Sequence, residues 1–480
     1  MIYKPSSFNY SLVDGNELLI INFKKGVSSF HTVSQEDTKA VKQYLSKNLI
    51  EINIPTASEQ TLIDNGFLVP ADLDEDLELE LIQSDYINNN ILQLVIHVTK
   101  DCNFRCKYCF LDFEHEKMHL MVQDKVVDYI RKNISKYSGV YISWFGGEPL
   151  MGMDVITYMS EKIIDICKKA KKPYLAGMTT NGYLLTPETI EKLISLKVYS
   201  YCITLDGLKN SHDTQRVLIN GNPTYQMIIN NLRYIRDHVK FRYLNICIRT
   251  NFTKTTLDSI DDYLSFLNLE FGDDSRFAPY FKLAYDWGGD RIDEVRQTLL
   301  EPRDIKTIYC KFLDQKSPMY IHNVSALYLG GMTCDSIRRH KYTISTEGKI
   351  AKCDTVCEET IVGYIDSTGW HLDKTKEAQW LFSYRIKGSP ANARAMDTRC
   401  CWPPESCMGL CFSLSPSPTI SSACFARTWR YALGTPAYIR GTSTFSCKFS
   451  LGRRLYCWKM KPSILLRMAA SWFLFIWPTS

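Results

Sequence analysis

No stretch of this chain is apolar for the roughly 20 residues that a membrane-spanning helix needs. The nearest candidate, Met468 to Trp477, is too short and follows Arg467, so no membrane association is expected. An export signal is missing too: Met1 to Asn9 is polar and leads into a hairpin pattern, which predicts a cytoplasmic location. In that setting seventeen cysteines read as metal ligands more readily than as disulfides. Charge of one sign is not in real excess either. The net charge is +5, but Ser406 to Ser480 holds nine Lys or Arg and no Asp or Glu, leaving 48 basic and 52 acidic groups in residues 1 to 405. A nucleic-acid partner would need a basic face on the folded body, so none is expected. The same tail lacks Asn, Gln, His and Val and shows no sustained helical or strand period. A folded surface rarely does without both acids. A reading frame shifted or otherwise altered somewhere near residues 388 to 412 is therefore expected.

Asp101 to Phe110 reads DCNFRCKYCF, with Cys102, Cys106 and Cys109 spaced Cys-x3-Cys-x2-Cys. Three thiolates within eight residues can face one point, and soft sulfur ligands at that density suit an iron–sulfur cluster or zinc. Three is one short of a closed structural site, which favours a cluster whose open iron binds a substrate or cofactor. The alternative is a zinc knuckle or unrelated buried thiols. Upstream, ILQLVIHV (Ile91 to Val98) is a continuous apolar run of strand length, as a buried parallel strand requires. The cysteine loop thus lies at the carboxyl end of a strand, where α/β folds place their chemistry.

From Leu92 the chain alternates between strand and helix. Strands are expected at Leu92 to Val98, Val140 to Phe145, Tyr174 to Thr180, Tyr199 to Leu205, Leu244 to Thr250 and Phe277 to Ala284. Helices are expected at Val122 to Tyr137, Val155 to Lys169, Pro187 to Leu196, Tyr225 to His238 and Leu257 to Leu269. Six such repeats imply an α/β fold with a parallel sheet and right-handed crossovers. Before it, residues 1 to 71 read as a small α+β module. Asp14-Gly15-Asn16 signals a hairpin, Ser34 a helix cap, and Asn65-Gly66 a helix stop. Residues 72 to 90 open with six acids in nine residues, Asp72 to Glu80, and read as a solvated linker.

The cysteine spacing, with Tyr108 before the last cysteine, resembles the signature of the radical S-adenosylmethionine (SAM) enzymes. The resemblance implies a partial (β/α)6 barrel at residues 91 to 300, a 4Fe-4S cluster on Cys102, Cys106 and Cys109, and SAM bound at the open iron. It also implies a reducing partner such as flavodoxin or ferredoxin. Gly146-Gly147-Glu148-Pro149, directly after the second strand, resembles the family loop that holds the SAM amino group. Thr180-Asn181 and Thr204 with Asp206 end the third and fourth strands, where the ligand would lie. His212-Asp213, Arg216, Gly221 and Tyr225 resemble the stretch around the SAM carboxylate, and Arg249 ends the fifth strand as a carboxylate ligand or an ion-pair member. Each of these motifs taken singly also reads as a cap or turn.

A second cysteine system follows. Cys334 and Cys353, thirteen residues and Gly348 between them and then four more, resemble the opening of the SPASM extension at residues 301 to 424, which binds auxiliary iron–sulfur clusters. A hairpin of Lys341 to Ser345 and Lys349 to Lys352 is expected around Glu347-Gly348. Cys401, Cys407, Cys411 and Cys424 match later positions of the motif, but Thr398 stands where its first cysteine belongs, with Cys400 or Cys357 as substitutes. The family pattern groups Cys334, Cys353 and Cys411 on one cluster and Cys401, Cys407 and Cys424 on another, so one or two auxiliary clusters are implied. Residues 425 to 480 are the atypical tail. The N-terminal module resembles the domain that captures leader peptides by β-strand addition, and a plain cap on the barrel is the equal alternative. Together these imply a peptide maturase that crosslinks or similarly modifies a ribosomally made precursor, with Asp286 a candidate base. The alternatives are an anaerobic sulfatase maturase and a non-catalytic zinc protein. Sulfatase maturases carry Gln-Phe-x-Pro near the sixth strand, where this chain reads Tyr280-Phe281-Lys282-Leu283.

Overall fold

The computed structural model describes residues 1–14, 17–22, 28–32, 35–111, 113–284, 286, 290–301, 304, 308, 311, 336 and 338–382. Cys334, Cys400, Cys401, Cys407, Cys411, Cys424 and the tail from 425 lie outside them, as do Gly15, Asn16 and Ser34. Two compact units result; among the described residues the first is built on Met1–Gln83 and the second on Ser84–Ile308 with residues 336–382.

The first unit holds two small sheets. Strands β1 (Ile2–Pro5), β5 (Ile50–Glu51) and β6 (Leu68–Pro70) form one in the order β5-β1-β6; β2 (Asn9–Asp14), β3 (Glu17–Asn22) and β4 (Ser28–Thr32) form the other as an antiparallel meander. The expected hairpin is present, with Asp14 opposite Glu17. Helix α1 (Gln35–Leu45) and α2 (Ala57–Asp64) complete the α+β pattern. Helix α2 starts on a capping box of Thr56 and Glu59 and stops at Asn65, with Gly66 at φ 73°. Val41, Ile50, Ile52, Leu62, Phe67 and Leu68 pack as its core.

Most of the acidic run is helical. Helix α3 spans Glu75–Ile87, and Asp74 Oδ1 accepts the backbone N–H groups of Asp76 and Leu77 at 3.1 Å each. Three acids in its first turn complement the helix dipole. Glu75 is buried and accepts from Ser6 Oγ (2.6 Å) and the Ser7 N–H (2.7 Å). Charge counting along the sequence misses this because it cannot see a carboxylate's partner 68 or 69 residues away.

The second unit is one ten-stranded sheet. Its parallel strands are β7 (Ile91–Thr99), β8 (Gly139–Gly146), β9 (Tyr174–Thr180), β10 (Val198–Thr204), β11 (Asn245–Phe252) and β12 (Phe277–Leu283), each hydrogen-bonded to the next. Between and beside them run α4 (Leu120–Asn133), α5 (Met153–Lys169), α6 (Pro187–Ser195), α7 (Lys209–Gln215), α8 (Tyr225–His238), α9 (Lys254–Leu257) and α10 (Ile260–Phe271). The apolar face of α4 (Val122, Val126, Val127, Ile130) and that of α5 (Val155, Ile156, Met159, Ile163) are buried with Ile142 and Trp144 of β8. Six parallel strands with helical crossovers make the open α/β partial barrel. Beyond β7 the sheet continues: β13 (Lys341–Ile344) pairs parallel with it, then β14 (Lys349–Ala351), β15 (Ile361–Asp366) and β16 (Gly369–Leu372) follow antiparallel, and α11 (Lys374–Phe382) closes the segment. The β13–β14 hairpin turns at Gly348, whose φ of +98° suits a residue without Cβ.

Candidate functional site

The loop after β7 carries the three cysteines. Cys102 and Cys106 are buried and Cys109 is half-buried, all as free thiols. Burial pushes the Cys102 and Cys109 thiols up and Cys106 up to about 12. The surroundings oppose this: the Phe104 N–H points at Cys102 Sγ (3.4 Å), Asn181 Nδ2 lies 4.0 Å from it, and the Arg216 guanidinium acts on Cys106 and Cys109. Cationic and amide donors aimed at sulfur suit thiolates bound to metal. Among the described residues a trio of ligand atoms mutually within 4.8 Å is Glu114, Glu116 and Glu347. The acidic trio itself is engaged by Lys100, whose Nζ pairs with Glu114 (2.9 Å), Glu116 (2.8 Å) and Glu347.

Gly146 and Gly147 pack on the cysteine loop. A Cβ on Gly147 would stand 2.1 Å from Asp101 O, and one on Gly146 2.4 Å from Thr99 O. The Gly147 N–H donates to Thr99 O and the Glu148 N–H to Asp101 O, both at 2.8 Å. The glycines therefore let two loops of the protein meet. Glu148 is fully buried and bridges strands: it accepts from the Leu150 N–H (3.0 Å), Thr180 Oγ1 (2.7 Å) and the Asn181 N–H (2.7 Å). Burial raises its carboxyl while those donors pull the other way. Pro149 is buried at the start of the short turn that Glu148 caps.

A second cluster forms across β10 and β11. Tyr108 Oη donates to Asp206, and Arg216 Nη1 donates to Tyr108 Oη (2.6 Å) and lies 3.9 Å from Asp206 Oδ2. Asp206 also accepts the Asn251 N–H at 2.8 Å, and Asn251 Nδ2 reaches Tyr108 Oη at 3.2 Å. Burial raises the Asp206 carboxyl, against the pull of Arg216 and Tyr108. Arg216 lies over the Phe104 ring at 5.6 Å, and its Nε–H is buried with no acceptor. That orphan donor beside the cysteine loop is the feature an anionic ligand would satisfy.

His212 holds the floor of this cluster. Its Nδ1 accepts the Asp206 N–H (3.2 Å), its Nε2 meets Thr224 Oγ1 (3.0 Å), and Thr224 Oγ1 donates to Arg216 O (2.7 Å). Burial, then Arg216, pushes its pKa down to about 3, which keeps it neutral. Asp213 caps α8 by accepting the N–H groups of Thr224 and Tyr225 (2.9 Å each), and Gly221 turns at φ 83°. Of the residues named from sequence, Tyr108, Asp206 and Arg216 converge, and Glu148, Thr180 and Asn181 converge. Thr204 is buried opposite Arg249, whose Nε donates to Asn251 (3.0 Å). Asn251 was not singled out, although it sits two residues beyond Arg249 on the same face of a strand end, a period-2 signal. Asp286 pairs with Arg296 on the segment after β12. Cys353 is half-buried; its expected partners Cys334 and Cys411 lie outside the described residues.

Residues 96–266 match the Radical SAM superfamily, and this segment is a radical SAM domain. A radical SAM cyclopropyl synthase of Paramaledivibacter caminithermalis is 27% identical over 188 residues, which span 35% of this chain and 38% of that one. A cysteine-type anaerobic sulfatase-maturating enzyme of Clostridium novyi is 25% identical over 58% of this chain and 77% of its own length. Among solved structures, native anSMEcpe with bound AdoMet and Kp18Cys peptide superposes with a TM-score of 0.50 at 17% identity, covering 72% of this chain and 97% of that one. The partial-barrel fold is therefore shared. The chain spans about two fifths of the cyclopropyl synthase's length.

Proposed function

We propose that this radical SAM domain serves a peptide maturase: an enzyme that reductively cleaves SAM and abstracts hydrogen from a ribosomally made precursor, installing a crosslink or related modification. The observation that carries the SAM-cleaving part is the convergence of Cys102, Cys106 and Cys109 with a buried, unsatisfied Arg216 Nε–H at the carboxyl ends of parallel strands. When bound, the 4Fe-4S cluster supplies the electron that splits SAM into methionine and a 5′-deoxyadenosyl radical. Cys102, Cys106 and Cys109 would hold three irons. Arg216 offers its free N–H to a carboxylate, while Tyr108, Asp206 and Asn251 fix the guanidinium's place. Glu148 ties the glycine loop to Thr180 and Asn181, so the wall facing the ligand keeps its shape. Buried Phe104, under the Arg216 guanidinium, helps keep water from the site.

The peptide substrate is supported by the α+β unit of residues 1–71, whose two three-stranded sheets, among the described residues, end in edge strands of the kind strand addition uses. Auxiliary clusters on Cys334, Cys353 and Cys411, and on Cys401, Cys407 and Cys424, belong to the same reading, as does a flavodoxin or ferredoxin donor. No helix among the described residues is long and apolar enough to cross a membrane. The test is anaerobic reconstitution followed by dithionite and SAM. We expect 5′-deoxyadenosine by chromatography and none from Cys106→Ala; an iron-loaded chain that leaves SAM intact overturns the proposal. The likeness to the sulfatase-maturating enzyme favours a second reading. A precursor encoded beside this gene that changes mass under turnover supports the first, and formylglycine formed on a sulfatase-derived peptide supports the second.

A further inference from the structure

Phe113, four residues past the last cysteine of the loop, lies between two guanidinium groups. Arg105 stands 4.0 Å from its ring centroid and Arg291 4.8 Å. Arg105 belongs to the cysteine loop, where its Nη1 donates to Cys102 O (2.6 Å) and Phe104 O (2.7 Å). Two carbonyls of the loop thus fix its head group. Arg291 arrives from the far end of the barrel, on the short turn Asp290–Glu294 that follows β12. Ile292 and Val295 anchor that turn in the core, and Glu294 comes within 3.9 Å of Lys107 Nζ. The turn is therefore tied to the cysteine loop at two points, the aromatic stack and the ion pair.

Neither guanidinium has a carboxylate partner among the described residues. Each is held instead by a ring face and, for Arg105, by carbonyl oxygens, which satisfy geometry without cancelling charge. Arg105 is fixed on the loop by the Cys102 and Phe104 carbonyls, and Arg291 is held to it through the Phe113 ring and the Glu294–Lys107 pair, so both charges stand at the cysteine loop. Reduction of a thiolate-bound cluster adds one negative charge at the same place, and fixed cations beside it favour the reduced form.

We propose that Phe113 clamps Arg105 and Arg291 against the cysteine loop, and that this pair of charges raises the reduction potential of the cluster the loop holds. Phe113 is then a positioning residue and Arg291 a charge brought in from β12 to ease electron uptake. The pairing is invisible in the sequence, because Arg291 lies far along the chain from the cysteines and only the folded chain brings the two together.

The inference rests on the cluster reading above. Its test uses the full chain reconstituted anaerobically, with Arg291→Gln, Arg291→Lys and Phe113→Leu variants. Each is titrated with dithionite at controlled potential and read by electron paramagnetic resonance of the reduced cluster, which reports loaded protein alone. We expect the midpoint to fall in Arg291→Gln, to fall less in Phe113→Leu, and to stay with the parent in Arg291→Lys. A parental midpoint in Arg291→Gln overturns the proposal. So does an equal fall in Arg291→Lys, because charge would then not be the cause. A parent chain that binds no iron fails the cluster reading and this inference together, whereas a loaded parent with an unshifted Arg291→Gln fails this inference alone.

Discussion

Acidification should loosen the Asp206–Arg216 site through one side chain, His212. Its imidazole is fully buried, and it is neutral because its surroundings leave no room for a second ring proton: Nδ1 is occupied by the Asp206 N–H, while Nε2 faces Thr224 Oγ1, which itself donates to Arg216 O. The Arg216 charge adds to the cost of protonation and Asp213 offsets a little of it. With the pKa down to about 3 from the ordinary 6.5, the unfolded chain binds a proton below pH 6.5 that the folded chain refuses. The stability contributed is complete above 6.5 and is lost as pH falls toward 3. The slope is about 1.4 kcal/mol per pH unit, or roughly 2 kcal/mol between pH 7.5 and pH 5. That is a sizeable share of a typical total of roughly 5–15 kcal/mol. Urea unfolding of the parent and of His212→Gln, both oxygen-free, measures it. The parent should lose about 2 kcal/mol more than the variant over that pH range. Equal losses in the two proteins would refute the reasoning.

Three further outcomes are expected. Gly147→Ala forces a Cβ to within 2.1 Å of the Asp101 carbonyl; overpacking of this kind costs about 1–3 kcal/mol, so thermal unfolding should come earlier and reconstituted iron per chain should fall. Tyr108→Phe removes the donor to Asp206 and the acceptor of Arg216 Nη1. Leaving buried charged groups underserved costs about 1–3 kcal/mol, read as weaker SAM retention in equilibrium dialysis with iron content unchanged. Lys341→Met strands Asp354, which pairs with Lys341 Nζ at 2.6 Å with both side chains 1% exposed. Breaking a buried pair from one side costs about 3–5 kcal/mol, and urea unfolding should show a loss of that order.

Much of the barrel was legible before folding because buried parallel strands are continuous apolar runs and their helices carry one apolar face. Tyr174–Thr180 and Tyr225–His238 fall where the pattern placed them, and the other barrel strands shift by one or two residues at their ends. The cysteine loop was equally plain, since its three cysteines share eight residues. The burial of Glu75 within the acidic run was not legible, because local composition cannot report that its carboxylate reaches Ser6.

Local spacing along the chain settled the six barrel strands and the helix stop at Asn65-Gly66, which depend on neighbours within a turn or a strand. Register across the sheet settled the rest. It puts Asn251 against Asp206, 45 residues away, sets Glu148 on Thr180 and Asn181, and packs the Gly146-Gly147 pair against the cysteine loop. Hydrogen bonds and ring stacking act over a few ångströms, whatever the separation along the chain, so partners of this kind become visible once parallel strands have fixed which residues stand side by side.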